Sequence, residues 1–159
     1  MNTKPTILVM ALLLAACSKK PGAVVEQQAK LDPNDARVGI MVVGWPVQAK
    51  PGSRFDLPLR IMNAGGKTLA ASKAAPRTPM QVSVSYHWLA IDGQPVIWEG
   101  ERLPFSKSIA PGEVGELTMP VKAPPTPNRY ILEVDVLQEG NLWFGGVGSQ
   151  TARIALDVK

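Results

Sequence analysis

The sequence predicts an all-β protein: a single antiparallel β-sandwich of seven or eight strands. Beyond Arg37 apolar residues recur with period two, Pro and Gly punctuate the chain at short intervals, and no stretch holds apolar residues at helical spacing for long. That many short strands in about 120 residues fit two packed sheets better than any helical arrangement.

"VGIMVVG" reads as the first strand and "KPGS" as the turn after it. In "RFDLPLRIMN", Phe55, Leu57, Leu59 and Ile61 alternate with Arg54, Asp56, Pro58 and Arg60, which puts the apolar set on one face. Pro58 has no amide donor, so an edge or a bulge is expected there. "NAGG" ends the strand, and the Ala/Ser/Pro-rich piece to Pro79 reads as a long loop. In the next strand Val82, Val84, Tyr86 and Trp88 share one face and Gln81, Ser83, Ser85 and His87 the other. Asp92-Gly93 suits a type I′ hairpin turn. "APGE" opens a strand with Leu117, Met119 and Val121 in alternation. "RYILEVDVLQ" turns Tyr130, Leu132, Val134 and Val136 inward and Glu133 and Asp135 outward, and Gly140-Asn141 suits a type II′ turn. "ARIALDV" is the last strand.

Upstream, Lys4 precedes an unbroken apolar run of ten residues from Ile7 to Ala16, the architecture of a signal peptide. The run is about half of the roughly 20 residues a membrane-crossing helix needs. Leu14-Ala15-Ala16-Cys17 resembles the lipobox of bacterial lipoproteins. That resemblance implies removal of residues 1–16, diacylation of the Cys17 sulfur and acylation of the new amine. Acyl chains in that number anchor a protein firmly. Ser18 after the cysteine would, in the Gram-negative pattern, imply sorting to the periplasmic face of the outer membrane.

Residues 17–36, with Pro21, Gly22 and Pro33, read as the lipidated Cys and a flexible tether, and residues 37–159 as the sandwich. Nineteen residues of coil would reach roughly 25 Å. With Cys17 acylated there is no thiol left for a disulfide, a nucleophile or zinc, so the fold must rely on its apolar core. Removing Lys4 with the leader leaves 16 basic and 13 acidic residues, a charge of +3. That mild excess, with no basic run interleaved with aromatics, does not indicate a nucleic-acid partner.

"RFDLPLRIMNAGGKTL", "YHWL" with the following "DG", "IAPGE" and "VKAPPTPNRYILEVDVLQEGNLWF" resemble bacterial immunoglobulin-like, fibronectin-III-like modules, such as those appended to cell-surface polysaccharide enzymes. The resemblance spans about Val38 to Val158. It implies that Trp88 is the buried strand tryptophan and Tyr130 the tyrosine at the corner before the next-to-last strand. It carries no catalytic residue, and the paired cysteines of antibody domains are missing.

A catalytic site would have to use His87, the only histidine, with Ser83 or Ser85 as nucleophile. Two residues on one strand supply neither a strained nucleophile turn nor oxyanion donors, so an exposed strand histidine and no enzyme are expected. One histidine and scattered carboxylates give no metal-ligand spacing, and no cofactor is implied. Asp92, Glu99 and Glu101 lack the loop pattern of a calcium site.

The aromatics remain. A two-residue turn at Asp92-Gly93 sets His87 opposite Trp98 on the outer surface, beside Leu89. The same count across Gly140-Asn141 turns Phe144 outward and Trp143 toward the Val136 face, and a register slip of one would exchange these roles. Trp98 with His87, or Phe144 beside "GGVG", is then a candidate docking or sugar-stacking surface, with Trp143 a further candidate binding residue. Trp45 is expected to plug one end of the sandwich. The function expected is that of a non-enzymatic envelope lipoprotein that binds a protein partner or supports an assembly, with a glycan-binding module as the alternative.

Overall fold

A computed structural model describes residues 28–159. The signal peptide, Cys17 and most of the expected tether lie outside the described residues.

Among the described residues ten strands form two sheets: β1 (Val38–Val42), β2 (Gln48–Ala49), β3 (Arg54–Asn63), β4 (Val82–Ala90), β5 (Pro95–Ile97), β6 (Leu103–Pro104), β7 (Val114–Lys122), β8 (Asn128–Gln138), β9 (Leu142–Trp143) and β10 (Ala152–Val158). The smaller sheet runs β1-β3-β7 and the larger β2-β10-β8-β4-β5, with β6 also on β4 and β9 on β8. Pairing is antiparallel except between β2 and β10, where the chain has crossed from one sheet to the other.

The core lies between the sheets. Leu57, Leu59, Ile61, Met119 and Val121 face Val84, Tyr86, Trp88, Leu132, Val134 and Leu156, all buried. The alternation in each strand is what supplies this inner face. Trp88 donates its indole N–H to the Lys122 carbonyl at 2.9 Å, so burying the ring leaves no polar atom unpaired. Tyr130 donates its hydroxyl to the Thr126 carbonyl at 2.9 Å, four residues back, which forms the tyrosine corner that the resemblance implied. The domain is an immunoglobulin-like β-sandwich.

Several expectations are corrected. Pro58 lies in the central strand of its sheet, with no bulge. Its carbonyl accepts from Val43 N–H at 2.9 Å, so its missing donor faces β1 just where that strand ends. Trp45 plugs nothing: it lies half-exposed in the link between β1 and β2. The described part of the expected tether, from Gln28 to Ala36, is packed on the sandwich. Leu31 and Ala36 are in the core, and Leu31 N–H donates to Gln138 Oε1 at 2.8 Å. Asp32 organises the turn between them by accepting from the N–H groups of Asn34 and Asp35.

Both hairpin turns contain three residues, not two. Ala90 N–H bonds to the Gln94 carbonyl around Ile91-Asp92-Gly93, and Gln138 pairs with Leu142 around Glu139-Gly140-Asn141. In each loop the glycine takes the left-handed conformation, with φ 87° at Gly93 and 70° at Gly140, as a three-residue hairpin loop requires. The consequences for the candidate residues differ between the two hairpins.

Candidate functional site

In the β4–β5 hairpin a bulge at Val96 compensates for the longer loop. Leu89 pairs with Pro95 but Trp88 with Ile97, so His87 again faces Trp98. In the β8–β9 hairpin nothing compensates. Leu137 pairs with Trp143, and the roles of the two aromatics are exchanged. Phe144, expected outside, is 0% exposed in the core; Trp143, expected inside, lies on the outer face beside His87. Phe144 is therefore withdrawn as a surface residue.

One row of side chains crosses the outer face of the larger sheet. Arg153 on β10 is paired with Glu133 on β8, Glu133 with His87 on β4, and His87 lies under Trp98. The indole and imidazole are stacked, with centroids 3.9 Å apart and planes 16° from parallel. His87 is 1% exposed and Trp98 49%, so the indole roofs the imidazole and keeps its other face to water. His87, expected to be an exposed strand histidine, is thus a buried support. Its Nδ1 bonds to the Trp98 carbonyl, and because a carbonyl only accepts, Nδ1 carries the proton. Burial lowers the imidazole pKa below its ordinary value, against the raising effects of the Trp98 carbonyl and of Glu133 and Glu99.

Trp143 packs against both rings, 4.4 Å from His87 and 6.2 Å from Trp98 by centroid, tilted 54° and 59°. Behind it the Arg102 guanidinium lies 4.6 Å from the indole centroid. Arg102 is buried and each of its three nitrogens donates. It bonds to Glu139 Oε1 at 2.9 Å, Ser85 Oγ at 2.6 Å, the Gly100 carbonyl at 3.2 Å, and Glu99. Glu99 also pairs with Arg77 at 3.5 Å.

Glu133 and Asp135, expected on the outward face, do lie there but are both buried. Glu133 accepts from Thr151 Oγ1 and Arg153 Nε, each at 2.8 Å. Asp135 accepts from the N–H groups of Val136, at 2.7 Å, and Gly145, at 3.0 Å. Burial pushes the Asp135 carboxyl up to about 6, with Glu133 adding repulsion and the two N–H donors opposing it. A Cβ at position 145 would lie 2.7 Å from Asp135 Oδ2, so only glycine lets the turn after β9 close over that carboxyl.

The arrangement has no nucleophile poised for a base. Ser85 Oγ is taken by Arg102, Ser83 Oγ has no hydrogen-bond partner, and neither serine reaches solvent. Among the described residues no group of three His, Cys, Asp or Glu could hold a metal ion. Glu101 is paired with Arg54 at 2.5 Å, on the wall of an open groove of about 580 Å³ that Tyr86 and Lys122 also line. What the outer face can do chemically is present a rigid aromatic plane. Arg102 was missed in sequence; its signal was an arginine in "WEGERLP" that follows two carboxylates, Glu99 and Glu101, just after Trp98.

The fold and this face define an immunoglobulin-like sandwich with one polar, aromatic-roofed outer sheet. No family model matches the chain, and no curated protein does. Among solved structures it is similar to the CARDB domain of the PF1109 protein from Pyrococcus furiosus, at 16% identity over 77% of this chain and 86% of that one, TM-score 0.41. It is similar to the C-terminal domain of wzt at 13% identity, over 77% of this chain and 70% of that one, TM-score 0.44. The ASH / PapD-like domain of human CEP192 aligns at 14% identity over 98% and 96%, TM-score 0.33. The fold assignment rests on the strands and registers above and not on these similarities.

Proposed function

We propose that this chain is a non-enzymatic lipoprotein of the bacterial envelope, anchored through acylated Cys17, and that its domain binds an envelope partner through Trp98 and Trp143 over His87. The observation that carries the binding face is the Trp98 stack: a large indole half-open to water yet immobilised by a buried ring. Preordered aromatics lose little freedom on binding and are enriched where binding energy concentrates. The polar layer beneath serves as the scaffold for that plane. His87 acts as a neutral spacer: burial favours its uncharged form, its Nδ1 proton goes to a carbonyl, and the ring lies 1% exposed beneath Trp98.

The anchor is supported by the sequence from Leu14 to Cys17, and the site at the periplasmic face of the outer membrane by Ser18. Detergent phase partition of the wild type and a Cys17→Ala variant tests the anchor. The wild type is expected in the detergent phase and the variant in the aqueous phase, and aqueous partition of both would contradict it. For the face, recovery of envelope partners by the full chain is expected to fall in Trp98→Ala and to persist in Ile91→Ala, an exposed control.

A further inference from the structure

We infer that the occupant of the Trp98–Trp143 surface is an uncharged sugar ring of an envelope glycan; this rests on that surface being the binding face.

Its shape is the first argument. One face of Trp98 is closed by His87 and the other is open, while Trp143, tilted 59° away at 6.2 Å, raises a wall at its side. The two indoles make an open corner with a flat floor. A π face carries partial negative charge, and it attracts the polarised C–H groups on the apolar side of a pyranose ring. The floor is already ordered, because His87 and Arg102 fix the two indoles from behind.

Size is the second. A tryptophan side chain presents on the order of 200 Å², and at 49% exposure Trp98 offers roughly half of that. A specific protein interface buries about 800 Å² on each partner. The exposed large apolar residue nearest along the chain is Val96. One aromatic plane is matched to one ring of a saccharide and is small for the centre of a protein interface.

Charge is the third. Arg77, Arg102 and Arg153 are paired with Glu99, Glu139 and Glu133, and Glu99 bridges two of the three cations. A charged ligand would meet cations and carboxylates already neutralised by one another. Sugar hydroxyls both donate and accept, so they can join a paired carboxylate and guanidinium without separating them. Glu99 and Arg77, each about half exposed, stand where such hydroxyls would lie.

The test uses the full chain in detergent with three neutral probes: cellohexaose, maltohexaose and the hexamer of N-acetylglucosamine. Saturation-transfer NMR is expected to show binding of at least one, strongest at its ring C–H protons. Its affinity should be unchanged between 50 and 500 mM NaCl, weakened at least tenfold by Trp98→Ala, and partly restored by Trp98→Phe. Transfer from none of the three, or equal binding by a folded Trp98→Ala, overturns the sugar assignment. A photo-crosslinker at Val96 then separates the two failures. A captured protein that is lost in Trp98→Ala leaves the binding face standing with a protein occupant; no Trp98-dependent product removes the face as well.

Discussion

Trp98 donates no hydrogen bond to His87, yet it holds the imidazole from two directions: its ring lies 3.9 Å above, and its own carbonyl takes the Nδ1 proton. One residue is thus both the roof and the acceptor, and this explains how the only histidine can be 1% exposed on a sheet's outer face. A His87→Ala variant removes the floor beneath the indole and leaves the Trp98 carbonyl without its donor. It is expected to lose roughly 3 kcal/mol of stability, in the range of buried ring truncations. Trp98 should become mobile, seen as red-shifted emission in a Trp143→Phe background, because Trp143 also rests on the imidazole. Unchanged emission would mean that the stack does not order Trp98.

Arg102 joins four polar partners, Ser85 on β4 and Glu99, Gly100 and Glu139 in the loops around it. Its loss leaves Glu139, largely buried, without a countercharge. Arg102→Ala is therefore expected to cost about 3–5 kcal/mol, the penalty for breaking a buried pair. Arg102→Lys should recover only a minor part, since one ammonium cannot reach Glu139, Ser85 and Glu99 together. Urea unfolding midpoints of the three proteins measure this directly.

Asp135 gives the pH dependence its sign. Its carboxyl is raised to about 6 by burial, so between the unfolded value of 3.8 and about 6 the native state holds more protons than the unfolded one. The stabilisation is whole below 3.8 and is lost as pH rises through 6. Asp135→Asn should match the wild type near pH 4 and exceed it at pH 7, by up to about 3 kcal/mol from a shift of that size. His87 acts with the opposite sign: its lowered pKa supports the fold above 6.5 and ceases to as pH falls. Because His87 is common to both proteins, the difference between their urea stabilities across pH 4–7 isolates Asp135.

Gly65 binds the N-terminal segment to the sandwich by leaving room for it. A Cβ there would meet the Asp35 carbonyl oxygen at 2.0 Å, closer than any real contact. Gly65→Ala is expected to displace the turn from Asp32 to Ala36. Amide exchange should accelerate at Leu31 and Asp35 while the β4 and β8 amides keep their protection. Uniform acceleration would instead show that the segment and the sandwich unfold as one unit.

Most of the sandwich was legible because burial between two sheets imposes period two, and every inward residue from Val82 to Trp88 and Tyr130 to Val136 obeys it. The outer face was harder. Its residues, Ser85, His87, Glu133 and Asp135, have the polarity of a solvated face and are buried all the same, because Arg102, Trp98 and Trp143 fold over them. Alternation reports which side a residue points to, and says nothing of what later covers it. The exchange of Phe144 and Trp143 came from a single extra loop residue at Glu139. At Trp98 the same extra residue was cancelled by the bulge at Val96, which no turn motif announces. The packing of Gln28 to Ala36 was hidden for a related reason, since only two apolar residues, Leu31 and Ala36, enter the core and they make no periodic pattern.

Oxidative footprinting of tryptophan in intact envelopes, set beside the purified full chain, tests the binding face most directly. Trp98 and Trp45 are exposed to a similar degree, 49% and 50%, and so serve as reporter and internal reference. Oxidation of Trp98 is expected to fall several-fold in the envelope while Trp45 is unchanged. Equal oxidation of Trp98 in both preparations, or protection confined to Trp45, would contradict the assignment of this face.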